Sequence, residues 1–82
     1  MSHNHITTKK ILKNLQIIRK KLNLTQEDVA NHFEISVKHV SELERGISNP
    51  SFSLLIEIIN YYSDINGKSL NINKIFYDDL TP

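Results

Sequence analysis

Apolar residues recur along this chain at helical spacing in five places, separated by residues that cap or break helices. Ile11, Leu15, Ile18 and Leu22 form a first stripe with a 3.6-residue period, widened by Leu12 and Ile17. Thr8 is placed to cap that helix and Asn23 to end it. Thr25 opens a second pattern, Val29, Ala30 and Phe33, with Asp28 three residues on as a short-armed capping box. Glu34 and Ile35 leave room only for a tight corner. Ser36 then caps a third helix, in which Val40 and Leu43 point inward and Gly46 gives the stop. Ser51 caps a fourth, FSLLIEIINYY, with Phe52, Leu55, Ile59 and Tyr62 as its core face and Ile58 close by. The link over 63–69 reads as long, and Asn66-Gly67 is a turn signal that also fits a short hairpin. Leu70 packs inward, Asn71 caps, and Ile72, Ile75, Phe76 and Tyr77 make a short fifth helix. The expectation is an all-α fold: a flexible N-terminus over 1–7, one domain over 8–77, and a C-terminal tail over 78–82.

Two short helices across a tight corner form a helix-turn-helix, and Ala30 is small enough to let them cross closely. With Val40 and Leu43 inward, the helical repeat turns Val37, Lys38, Ser41, Glu42 and Arg45 outward. The start of such a helix fits the major groove of DNA, where exposed side chains reach base edges. A solvated helix in a small bundle has the same pattern, so periodicity alone leaves both readings open.

The residues LTQEDVANHFEIS and VSELERGISNPS resemble the helix-turn-helix of the lambda-repressor/Cro (Xre) family of bacterial and phage regulators. The shared letters are Leu24 to Glu27, Ala30, Ser36, Val40, Leu43 to Gly46, and Asn49 to Ser51. The likeness covers about residues 12–62, and 70–76 more loosely. It implies a compact five-helix bundle with the second and third helices as the DNA-binding unit. It implies that Gln26 donates to a DNA phosphate at a helix N-terminus, that Ser48 and Asn49 pass close to the backbone, and that Arg19 pairs with Glu44 as scaffold. Ser36 would cap and also reach phosphate. On the outer face, Val37 suits a thymine methyl, Lys38 a guanine edge or a phosphate, and Glu42 a cytosine amino group. Ser41 is adaptable, and Arg45 is placed for backbone. One departure falls at Glu34, where the family usually has Gly. A left-handed backbone there would cost Glu about 1 kcal/mol relative to Gly.

Composition narrows the alternatives. Eighty-two residues make one small domain, and without Cys there is neither a disulfide framework nor a thiolate metal site. His3 and His5 alternate near the start, but two histidines on a mobile end specify no metal, and no cofactor is expected. No paired carboxylates, activated nucleophile or phosphate-cradling Gly loop suggests an enzyme. No apolar run approaches a membrane span, so the expected setting is cytoplasmic and nucleoid-associated. Net charge is only +1, but its distribution is uneven. Residues 1–24 carry six bases and no acid, residues 25–46 five acids and two bases, and the remainder four acids and two bases. Positive charge is therefore concentrated in the first helix, where Lys9, Lys10 and Lys13 are secondary candidates for phosphate.

The fourth helix has more apolar surface than a lone amphipathic helix needs. Leu54, Ile56, Ile58 and Tyr61 fit either a larger core or a homodimer seam, and the dimer suits a reader of palindromic DNA. The function expected is a sequence-specific regulator of transcription, a repressor or an autoregulating controller, bound to a palindromic operator. The alternative is an antitoxin or adaptor that grips a protein, with a toxin or antirepressor as possible partner. With no ligand-binding domain in view, sensing is expected through self-association, partners or degradation.

Overall fold

The computed structural model describes residues 7–82 and contains five α-helices: α1 (Thr8–Lys21), α2 (Gln26–Phe33), α3 (Val37–Glu44), α4 (Phe52–Asn66) and α5 (Ile72–Tyr77). The expected flexible segment and the His3/His5 pair lie outside the described residues, except for Thr7. Helix α1 packs on α3, α4 and α5, and α2 packs on α3. The core between them is Ile11, Leu12, Leu15, Val29, Ala30, Val40, Leu43, Leu55, Ile58, Ile59, Tyr62 and Ile75, all buried. Removing this apolar surface from water is the main source of stability in so small a domain. Burial foremost, and then the Glu44 carboxylate, push the Tyr62 phenol above its ordinary range, so it stays neutral in the core.

Every helix start has its side-chain cap. Thr7, Thr25, Ser36, Ser51 and Asn71 each accept from the backbone N–H three residues on. At Thr25 the capping box is complete. The Asp28 carboxylate accepts from the Thr25 backbone N–H at 2.8 Å, which holds it below the usual carboxylate range. The cap of α1 is Thr7 and not Thr8. Two adjacent threonines offer the same chemistry, and the choice depends on where the chain first turns.

The ends of the first three helices share one solution. After α1, α2 and α3 a single left-handed residue turns the chain: Asn23 (φ 61°), Glu34 (φ 56°) and Gly46 (φ 75°). In each case the following N–H reaches back to the helix, Leu24 to Arg19 O, Ile35 to Ala30 O and Ile47 to Glu42 O. This double closure satisfies carbonyls that a helix end otherwise leaves free. The anticipated strain at Glu34 is therefore present.

Two expectations for the second half are corrected. The stretch after Tyr62 is helical up to Asn66, and Gly67 (φ 84°) ends α4, so no hairpin forms there. Polar Ser63, Asp64 and Asn66 hide a helix that continues from the buried turn ending at Tyr62. Phe52, assigned to the core, is 76% exposed. It occupies the first residue of α4, and that turn projects beyond the packed body while Leu55 begins the buried face.

Candidate nucleic-acid interface

Helix α3 is held from behind and open in front. Behind it, Arg19 of α1 meets Glu44 with Nε donating to Oε2 at 2.6 Å and Nη2 to Oε1 at 3.0 Å. The same guanidinium donates from Nη1 to the Leu24 carbonyl at 2.8 Å. Arg19 is 6% exposed, and both side chains of the pair are almost wholly shielded from water. A bidentate, buried pair of this kind fixes orientation as well as distance. The arrangement thus locks α1, the turn before α2 and the end of α3 into one unit, as expected for Arg19 and Glu44.

The front of α3 is uncovered. Val37 is 43% exposed, Lys38 and Arg45 are exposed, and Ser41 and Glu42 are half-buried on the flanks. Arg45 Nε leans back toward the Ser41 carbonyl at 3.4 Å, a weak contact that leaves the guanidinium in solvent. Ser36 is engaged as a cap, its Oγ accepting from the His39 N–H at 2.9 Å. The hydroxyl proton remains available to a further acceptor.

Gln26 shows what the sequence could not. It stands at the first residue of α2, half-buried, and its Nε2 donates to Glu44 Oε1 at 3.0 Å. One amide hydrogen is therefore committed to the clamp, and the second is the one a phosphate could accept. In the loop after α3, the Ser48 N–H is directed to the Glu42 carbonyl at 3.3 Å, so the hydroxyl is its free group. Asn49 is exposed beside it.

The four residues assigned to a dimer seam do not form one surface. Ile58 is 6% exposed and belongs to the core, a correction that follows from its position one helical turn after Leu54 and one before Tyr62. Tyr61 is half-buried and its ring stacks on His32 of α2, with centroids 3.8 Å apart, and meets Phe33 edge-on. Leu54 and Ile56 are half-buried against the core. The most exposed of the large apolar groups are Phe52 and Ile47, the latter 63% exposed.

One buried structural residue was not foreseen in the sequence. Asn14 of α1 is 2% exposed, and its Nδ2 donates to the carbonyls of Ile75 (2.7 Å) and Asp78 (2.8 Å). Its Oδ1 accepts from the Leu80 N–H at 3.2 Å. Residues 78–80 are thereby fastened to α1. The only signal in the sequence is an Asn on the edge of an apolar stripe.

Two helices meeting at a left-handed corner, the second with its back clamped and its front open, define a helix-turn-helix domain. Comparison with known proteins agrees: residues 15–63 match the family model described as Helix-turn-helix. The chain belongs to the Cro/C1-type helix-turn-helix family. It is also similar to an HTH-type transcriptional regulator, DdrOP3, from Deinococcus deserti, with 35% identity over 72 residues. That alignment covers 88% of this chain and 55% of the relative, so the chain spans about half of that protein's length. No solved structure matches. Among the described residues, no helix is long and apolar enough to cross a membrane.

Proposed function

We propose that this chain is a sequence-specific regulator of transcription that binds double-stranded DNA by placing α3 in the major groove. The observation carrying the reading is the contrast between the two sides of α3, one immobilised by Arg19 and Glu44, the other open. Side chains that read bases must be held by a rigid support, because a misplaced donor loses its base contact. Val37, Lys38, Ser41 and Glu42 are the base-reading set. Gln26, Ser36, Arg45, Ser48 and Asn49 face phosphate, and contacts of that kind position the protein without specifying sequence. The chain acts as a repressor or autoregulating controller in the cytoplasm, as a homodimer on a palindromic operator. The exposure of Phe52 and Ile47, next to the loop that follows α3, supports a seam there, with half-sites about 10 bp apart or a multiple of that.

Fluorescence anisotropy against the DNA upstream of the protein's own gene tests this. Gln26→Ala weakens binding to all duplexes alike. Lys38→Ala or Glu42→Ala also changes which bases are tolerated, by about 1–3 kcal/mol per lost contact. If all three variants bind every duplex as the parent does, α3 is not the reading element.

A further inference from the structure

The three lysines at the start of α1 go to three different places. Lys10 donates to the Tyr77 carbonyl at 3.0 Å and pairs with Asp79 at 3.1 Å, so it serves the tail. Lys13 lines an open groove with Gln16, Ile17, Lys20, Lys21 and Pro82. At the helical repeat it stands about 120° around the axis from Arg19, and so faces away from α3. Lys9 goes to α3 itself. A Cβ placed on Gly46 would lie 2.7 Å from Lys9 Cγ, 3.1 Å from Cδ and 3.3 Å from Cε. The whole stem of Lys9 therefore runs along the bare backbone of Gly46, where α3 ends and the loop to Ser48 and Asn49 begins. Glycine is needed there twice, for its φ of +75° and for the space.

We infer that Lys9 is a DNA-phosphate ligand, its ammonium held by the Gly46 crossing at the loop edge that carries Ser48 and Asn49. The inference rests on the proposed binding of DNA by α3. Charge is its second support. Residues 25–46 hold two bases and five acids, and with Glu44 paired to Arg19 four acids still face Lys38 and Arg45, so the recognition unit is short of cations for a phosphate backbone. A cation from outside the unit adds to Arg45, and Lys9 is the α1 lysine that the fold carries to the end of α3. Its head group is exposed, and no acidic side chain among the described residues forms a salt bridge with it. A long side chain with its stem laid on the protein and its charge in water loses little further freedom when it meets an anion.

The test needs no operator, because the phosphate term is independent of sequence. Binding of the full chain to a duplex of about 30 bp is measured from about 50 to 200 mM salt. Lys9→Gln is expected to reduce the slope of log K against log salt by about 0.9 and to weaken binding about fivefold near 100 mM. Lys9→Arg retains the parent slope. Lys20→Gln, the same change of net charge about three helical turns further along α1 and away from Gly46, leaves the slope as it was. Gly46→Ala, which pushes the Lys9 stem aside, lowers the slope as Lys9→Gln does. An unchanged slope in Lys9→Gln, with the parent binding, overturns the inference. A fall in melting temperature alongside that unchanged slope would make Lys9 a cap on the end of α3. A parent that binds no duplex sinks the DNA-binding reading and this inference with it.

Discussion

Helix α1 contains two buried polar residues five positions apart, and they do opposite kinds of work. Arg19 is charged, meets the side chain of Glu44, and orients the element that would face DNA. Asn14 is neutral, meets only backbone groups, and fastens α5 and residues 78–80. Both are fully bonded, which burial requires. The difference lies in what each specifies. A bidentate carboxylate–guanidinium pair fixes the identity and geometry of both side chains, whereas an amide reading backbone carbonyls tolerates any side chains on the segment it holds. The domain is thus stringent about sequence at the recognition end and permissive at the tail.

That contrast can be broken most forcefully at the charged hub. Arg19→Ala leaves Glu44 buried without its cation and is expected to cost about 3–5 kcal/mol, read as a fall in the denaturation midpoint. Replacing both partners by apolar residues should recover most of it, and failure to recover would mean that the Leu24 contact matters more than the ion pair. Asn14→Ala leaves two carbonyls and one N–H without their partner. A loss of about 2–3 kcal/mol is expected, with amide exchange accelerating first around Leu80 and α5. If exchange rises uniformly instead, the tail and the recognition end are one cooperative unit. Glu34→Gly relieves the left-handed corner between the two helices that the charged hub supports. A gain of about 1 kcal/mol is expected, visible as a higher melting temperature. The smallest effect belongs to the exposed ion pair near the neutral hub. Asp79→Asn removes the charge of a partner that is almost fully in water, leaves the Lys10 bond to the Tyr77 carbonyl in place, and should change stability by no more than about 0.5 kcal/mol.

The two hubs were not equally visible in the sequence. Arg19 and Glu44 could be paired in advance because the residues around them resemble a family in which they pair. Caps were legible because Thr25, Ser36, Ser51 and Asn71 act on backbone three residues away. Asn14 acts on residues 61 to 66 positions away, and no local pattern reports such a contact. Phe52 and Ile58 were placed imperfectly for a related reason. Helical spacing gives the phase of an apolar stripe but not where the packed body begins, so a residue at the tip of α4 was counted inside and one in its middle, read beside the core face, was also assigned to the seam. Ser63 to Asn66 read as a loop because their intrinsic helix preference is poor, yet the preceding turns extend through them until Gly67 permits the reversal.

The fastening of Leu80 to Asn14 bears on how the molecule is made. During synthesis α1 emerges before α5, carrying an amide whose partners at residues 75–80 have yet to be made. The chain is therefore expected to complete its packing only when about the eightieth residue has cleared the exit tunnel, however early the central helices take shape.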